Sequence, residues 1–262
     1  MTNTLYTLES PPAVPFYHQP PLPSLPQPPT IVSKVSVCKF LQVDGLRIQQ
    51  EYEQASSMKF EGSLDEVNYR SRAADLLGHA RLDSWSNSIT SDILVFRPFP
   101  VDYHVSHRFA ADVVNALREE NPSNVVLHAF FPTPAQDFSR GPFYLLRSLV
   151  YGLLWYSKGA NFTTKDLDVP AWEPYHLRWM FERMLYSLEF GTTVYIVIHG
   201  LGNYAVYNQA ETHLVLRLLD KLASLETNLQ LRVKVLLTPP FPLMAENIIL
   251  PEKYVDISAN CN

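Results

Sequence analysis

The spacing of apolar positions predicts strands and helices in alternation over most of this chain. Thr192 to Ile198 (TTVYIVI) and Leu231 to Leu237 (LRVKVLL) are continuous, β-branched-rich runs, the pattern of strands covered on both faces of a parallel sheet. Asp92 to Phe96 (DILVF) and Asn124 to Phe131 (NVVLHAFF) read as two further buried strands, and Lys253 to Ser258 as a last one. Helical spacing predicts helices over Val105 to Glu119, Pro142 to Tyr156, Tyr175 to Glu189 and Ala210 to Ser224. In the last of these, Leu214, Leu218 and Leu222 line one face and Leu225 extends the row. Upstream, Leu64 to Trp85 reads as one helix, opened by a capping box of Ser63 and Glu66. Leu41 to Ala55 has weaker helical spacing, and Asn161 to Pro174 reads as a loop. Such an alternation predicts a three-layer α/β fold with a mainly parallel sheet.

Three blocks follow from the pattern: a disordered proline-rich tail over residues 1–36, a helical lead-in over 37–90, and the main domain over 91–262. Nine of the 21 prolines fall between Pro11 and Pro29, a stretch without regular hydrogen bonding that reads as an extended spacer. A net charge of -5 offers no basic footprint, which sets nucleic acid aside as a partner. Cys38 and Cys261 form neither a disulfide framework nor a zinc spacing, so a reducing, cytoplasmic setting is expected. The N-terminal MTNTLYTLES lacks the pattern of a secretory signal. Phe143 to Tyr156 is broken by Arg147 and is shorter than the about 20 residues of a membrane span.

Chemistry in a sheet of this kind belongs at the strand tips. A P-loop enzyme needs G-x-x-x-x-G-K-[ST] after its first strand, because glycines let backbone amides cradle phosphate, lysine neutralises it and the hydroxyl binds magnesium. The matching turn here is Pro98-Phe99-Pro100-Val101-Asp102-Tyr103-His104-Val105. Pro98 and Tyr103 stand at the glycine positions, His104 at the lysine and Val105 at the hydroxyl, while Asp102 adds a charge of the wrong sign. Tight binding of ATP with magnesium is disfavoured, and no cofactor is expected.

The order of these pieces resembles the NACHT-type, nephrocystin-like ATPase domain abundant in fungal signalling proteins, over roughly Leu64 to Asn260. The stretch HAFFPTPAQDFSRGPFYLLRSLVYGLL, ending at Leu154, is similar to that family's second strand, variable loop and Leu-Arg-Ser-Leu helix, with Arg147 and Ser148 in register. Tyr195 to Tyr204 (YIVIHGLGNY) resembles the magnesium strand, with His199 in place of the metal-binding acid and Gly202 and Asn203 in place of the acidic pair. Val233 to Pro240 (VKVLLTPP) is similar to the sensor strand, keeping Thr238 but placing Pro240 where arginine belongs. The resemblance implies that the ancestral nucleotide site falls on His104, Val105, Ser106, His199, Asn203 and Thr238. It also implies a non-catalytic regulatory or protein-interaction module, with related NACHT-type chains among its partners. A nucleotide binder without hydrolysis and a chain truncated before helical regulatory domains are the alternatives.

Other chemistries are weaker. His199-Gly200-Leu201-Gly202 suits a hydrolase oxyanion strand, but no glycine follows Gly202 to build a nucleophile elbow. Gly200-x-Gly202-x-x-Ala205 fits a dinucleotide fingerprint formally, yet no strand ending in an acid follows it, so a plain strand-end turn is expected. His104 and His107 have metal-ligand spacing but read as two exposed histidines at a helix start. His128 reads as a hydrogen-bonded core histidine, and Trp172, Tyr175, Trp179 and Phe181 as core aromatics at helical spacing.

Overall fold

The computed structural model describes residues 30–58, 63–96, 103–131, 143–224, 231–238, 248–249 and 253–255. The proline-rich stretch Pro11–Pro29, the turn at 97–102 and the prolines at 239 and 240 lie outside the described residues. Strands β1 (Asp92–Phe96), β2 (Val125–Phe130), β3 (Thr192–His199), β4 (Leu231–Thr238) and β5 (Tyr254–Val255) form one sheet in the order β2-β3-β4-β1-β5, with every strand pair parallel. Helices α1 (Lys34–Leu41), α2 (Gly45–Ser56), α3 (Ser63–Leu77) and α4 (Ala80–Asn87) precede β1. Then α5 (Tyr103–Glu120) joins β1 to β2, α6 (Tyr144–Tyr156) and α7 (Pro174–Tyr186) join β2 to β3, and α8 (Leu201–Ala205) and α9 (Gln209–Ser224) join β3 to β4.

Strand side chains alternate between two covered faces. Val125, Leu127, Val194, Ile196, Ile198, Val233 and Val235 pack with α1, α6, α7 and α9. Leu94, Phe96, Val126, Phe130, Tyr195, Val197 and Leu236 pack with α2, α3, α4 and α5. The fold is therefore the three-layer, P-loop-like α/β arrangement that the strand and helix pattern predicts. Because both faces are covered, the strand runs are mostly apolar; the mid-strand exceptions are His128 on β2 and Arg232 and Lys234 on β4, with Lys234 buried and its Nζ donating to Ser88 Oγ at 2.6 Å.

Four expectations are corrected. The lead-in helix is two helices, α3 and α4, because Gly78 is a poor helix residue and His79 turns extended to cap α4, its Nδ1 accepting the Arg81 N–H at 3.1 Å. The Glu66 carboxylate of the expected capping box lies on Arg70 and Arg108 at 3.1 and 2.9 Å, while the Ser63 side chain is outside the described residues. The folded body begins before residue 37. Val32 N–H donates to the Phe162 carbonyl at 2.8 Å, Ile31 bridges Thr163, and α1 buries Val37 and Leu41. The loop at 161–174 thus contains a short 3-10 turn, Thr164–Leu167, and forms part of that docking site. Of the four aromatics read as core, only Phe181 is buried; Trp172 and Tyr175 are 50% and 74% exposed and Trp179 is partly so. For Tyr175 and Trp179 the cause is the phase of α7, which turns Leu177, Met180, Phe181, Met184 and Leu185 inward; Trp172 lies in the turn before that helix. No helix among the described residues is long and apolar enough to cross a membrane.

Candidate functional site at the strand ends

α5 lies across the sheet with Val105, Phe109, Ala110, Val113, Val114 and Leu117 buried. His107 falls on the same inner stripe, three residues before Ala110 and seven before Val114, the spacing that puts side chains on one helix face. On β3, Tyr195 and Val197 face α5, so alternation turns His199 the same way. The β3–β4 register sets His199 beside Thr238. The outcome is a closed cluster at the C-terminal ends of the central strands. His199 Nδ1 lies 2.9 Å from Thr238 Oγ1, the His107 and His199 ring centroids are 4.7 Å apart, and Phe130 packs against both rings at 5.6 and 6.1 Å. His107 and His199 are fully buried, and Thr238 and Ser106 nearly so.

The electrostatics follow from that closure. Burial, reinforced by the neighbouring His107, holds His199 well below the ordinary histidine range, so its ring is neutral. A neutral imidazole bonded to a threonine hydroxyl has no charge for phosphate and no carboxylate for a cation. The turn beyond β3 is built for close approach instead. Gly200 has φ +73°, and a Cβ there would sit 2.3 Å from the Phe131 carbonyl oxygen. The Asn203 side-chain amide donates to that same oxygen at 2.8 Å, and the Gly200 N–H donates to the Thr238 carbonyl at 3.2 Å. Gly200 to Ala205 is thus a strand-end turn that ties β3 to β2 and β4.

Comparison of the chain with family models, curated proteins and solved structures returns no match.

Of the six positions expected at a nucleotide site, His199 and Thr238 meet directly. Val105 and Ser106 are buried in the first turns of α5, Asn203 is spent on the Phe131 carbonyl, and His104 stands on α5 with its side chain outside the described residues. The reading of His107 as exposed is corrected: it is a core residue that the sequence treats as polar. Its stripe with Ala110 and Val114 was the available signal. His128 is hydrogen-bonded as expected, with Arg118 Nη2 3.2 Å from its Nδ1, and burial, then the Arg118 charge, pushes it down to about 3.

One buried acid lies on the opposite face of the sheet. Glu211 of α9 accepts the Leu146 N–H at 3.0 Å and the Tyr204 hydroxyl, and burial pushes its carboxyl up to about 7. These groups predict the pH dependence of stability. Unfolded histidine takes a proton near 6.5 while buried His128 and His199 do not, so each costs the fold about 1.4 kcal/mol per pH unit as pH falls below 6.5. Glu211 acts the other way: its contribution is present below 4.5 and lost as pH rises through about 7. Glu211→Gln removes the opposing acid, so its guanidinium midpoint is expected to fall more steeply than wild type between pH 6.5 and 4.5. Parallel curves would contradict the assignment.

Proposed function

We propose that this chain is a non-catalytic regulatory or protein-interaction module derived from a NACHT-type P-loop ATPase. The observation that carries the reading is the His107–His199–Thr238 cluster. At the strand tips where the resemblance puts magnesium and phosphate chemistry, the described groups are buried, and His199 and Thr238 are bonded to each other. The His107, His199 and Phe130 rings pack against one another beside that bond, an arrangement that favours a structural over a phosphate-binding role. The aromatic residues Trp172, Tyr175, Tyr186 and Phe190, exposed on and beside α7, add support. Aromatic side chains are enriched where protein surfaces meet, because each buries a large area at a small entropic cost. Partners of the same NACHT-type class fit this reading, since such domains act by associating with one another.

Calorimetric titration of ATP, ADP and GTP into the purified chain, with and without magnesium, is the test. No heat is expected at millimolar nucleotide. Micromolar affinity that disappears in His104→Ala would overturn the reading in favour of a nucleotide-gated module.

A further inference from the structure

A cavity of about 290 Å³ lies at the free edge of β2, between α2, the end of α5 and α6. Because α5 runs antiparallel to the strands, Arg118 in its last turn places this cavity well away from the His107–His199 cluster. β2 is the last strand of the sheet among the described residues, and its register sets which peptide groups face outward. Phe131 N–H bonds His199 on β3, so the peptide groups of Leu127 and Ala129 also face β3 and those of Val126 and His128 face outward. Val126, Leu127 and Ile48 give the cavity an apolar floor, and Tyr151, Trp155 and Tyr156 form its outer wall. Tyr151 and Trp155 stand edge to face at 6.1 Å, and Trp155 is 56% exposed at the rim. The wall fits closely only because Gly45 has no side chain: a Cβ there would meet the Tyr151 hydroxyl at 2.2 Å.

Arg118 and His128 line this space. A guanidinium only donates, so the contact between Arg118 Nη2 and His128 Nδ1 makes Nδ1 the acceptor and puts the imidazole hydrogen on Nε2. That Nε2 is buried and has no acceptor among the described residues. Leaving a buried donor without a partner costs about 1–3 kcal/mol. The Arg118 guanidinium carbon lies 5.1 Å from the Tyr52 ring centroid, and Tyr52 also packs against His128 at 4.9 Å. Among the described residues, Arg118 forms no ion pair with a carboxylate. A cation beside aromatic walls describes a site for an anionic acceptor on a flat apolar body.

We propose that this cavity binds a small aromatic carboxylate, its rings between Ile48 and the Tyr151–Trp155 wall and its carboxylate on Arg118. The volume, near the lower end of the about 300–1,000 Å³ usual for ligand sites, admits one or two fused rings. The proposal does not depend on the reading of the strand-end cluster, and a chain that ignores nucleotide can still carry this site.

Naphthoate is the probe, titrated into the full chain by calorimetry and by quenching of tryptophan emission, with neutral naphthamide of the same shape as the control. Saturable binding with a dissociation constant on the order of 100 μM is expected for naphthoate, at least tenfold tighter than for naphthamide. Arg118→Met is expected to bring naphthoate down to the naphthamide level and leave naphthamide unchanged. Trp155→Ala, at a half-exposed position where folding is tolerant, is expected to weaken both, which keeps the test decisive should the Arg118 variant fail to fold. Equal affinity for the two compounds, no saturation by millimolar naphthoate, or wild-type binding in Trp155→Ala would each overturn the proposal.

Discussion

Arg147→Ala is expected to destabilise the fold by about 3 kcal/mol and to detach α1 from it. Arg147 is buried in α6, and its Nη1 donates to the carbonyls of Leu41 at 2.7 Å and Gln42 at 3.2 Å. These are the last carbonyls of α1, where the chain leaves the helix through Gln42 at φ 51°. Helix-end carbonyls have no donor within their own helix, so a guanidinium there supplies bonds that nothing else offers and opposes the negative end of the helix dipole. Charge-assisted bonds contribute about 1.5–3 kcal/mol each, more than neutral ones. Removing the side chain also leaves Val37 and Leu41 without their anchor on the α6 face of the core. Arg147→Lys keeps the charge but not the planar fork, and an intermediate loss is expected. Guanidinium unfolding gives the total, and hydrogen exchange gives the location. Amides of α1 exchanging at the wild-type rate in Arg147→Ala would refute this account.

Gly200→Ala should be nearly as costly, for a separable reason. Two penalties fall on one residue: a left-handed backbone, worth about 1–2 kcal/mol against a Cβ, and a Cβ placed 2.3 Å from the Phe131 carbonyl. The second is backbone against backbone, and retreat is blocked because the same carbonyl accepts Asn203 while the Gly200 N–H holds Thr238. A total loss of about 3 kcal/mol is expected. Gly191 provides the control within the same chain, with φ +80° and nothing within 4 Å of a Cβ. Gly191→Ala should therefore lose only the backbone part, about 1 kcal/mol. Equal losses in the two variants, measured by chemical denaturation, would mean that the close approach to Phe131 contributes nothing.

The candidate site shows where a sequence signal stops. His199 was identifiable because it ends a strand, where chemistry is placed in parallel sheets. Its environment was not, because no local pattern says that the histidine on α5 turns inward to meet it. Arg147 was likewise visible as a charge interrupting an apolar helix, and its match to a Leu-Arg-Ser-Leu motif marked it. What it holds lies 106 residues earlier in the chain. The aromatics around α7 misled for the reverse reason, since spacing alone cannot fix which side of a helix faces the core when both sides carry large rings.

By itself the sequence determined the strands and the main helices. Residues buried on both faces of a sheet are mostly apolar, and a helix packed on one side must be apolar at every third or fourth position, so burial writes itself into neighbouring residues. Only the tertiary structure decided the strand order β2-β3-β4-β1-β5, the meeting of His107 with His199, the docking of residues 30–41 on α6, and the cavity beside His128. A hydrophobic period records that a side chain leaves water. Which distant side chain it then meets depends on packing between elements, and no local repeat in the chain encodes that.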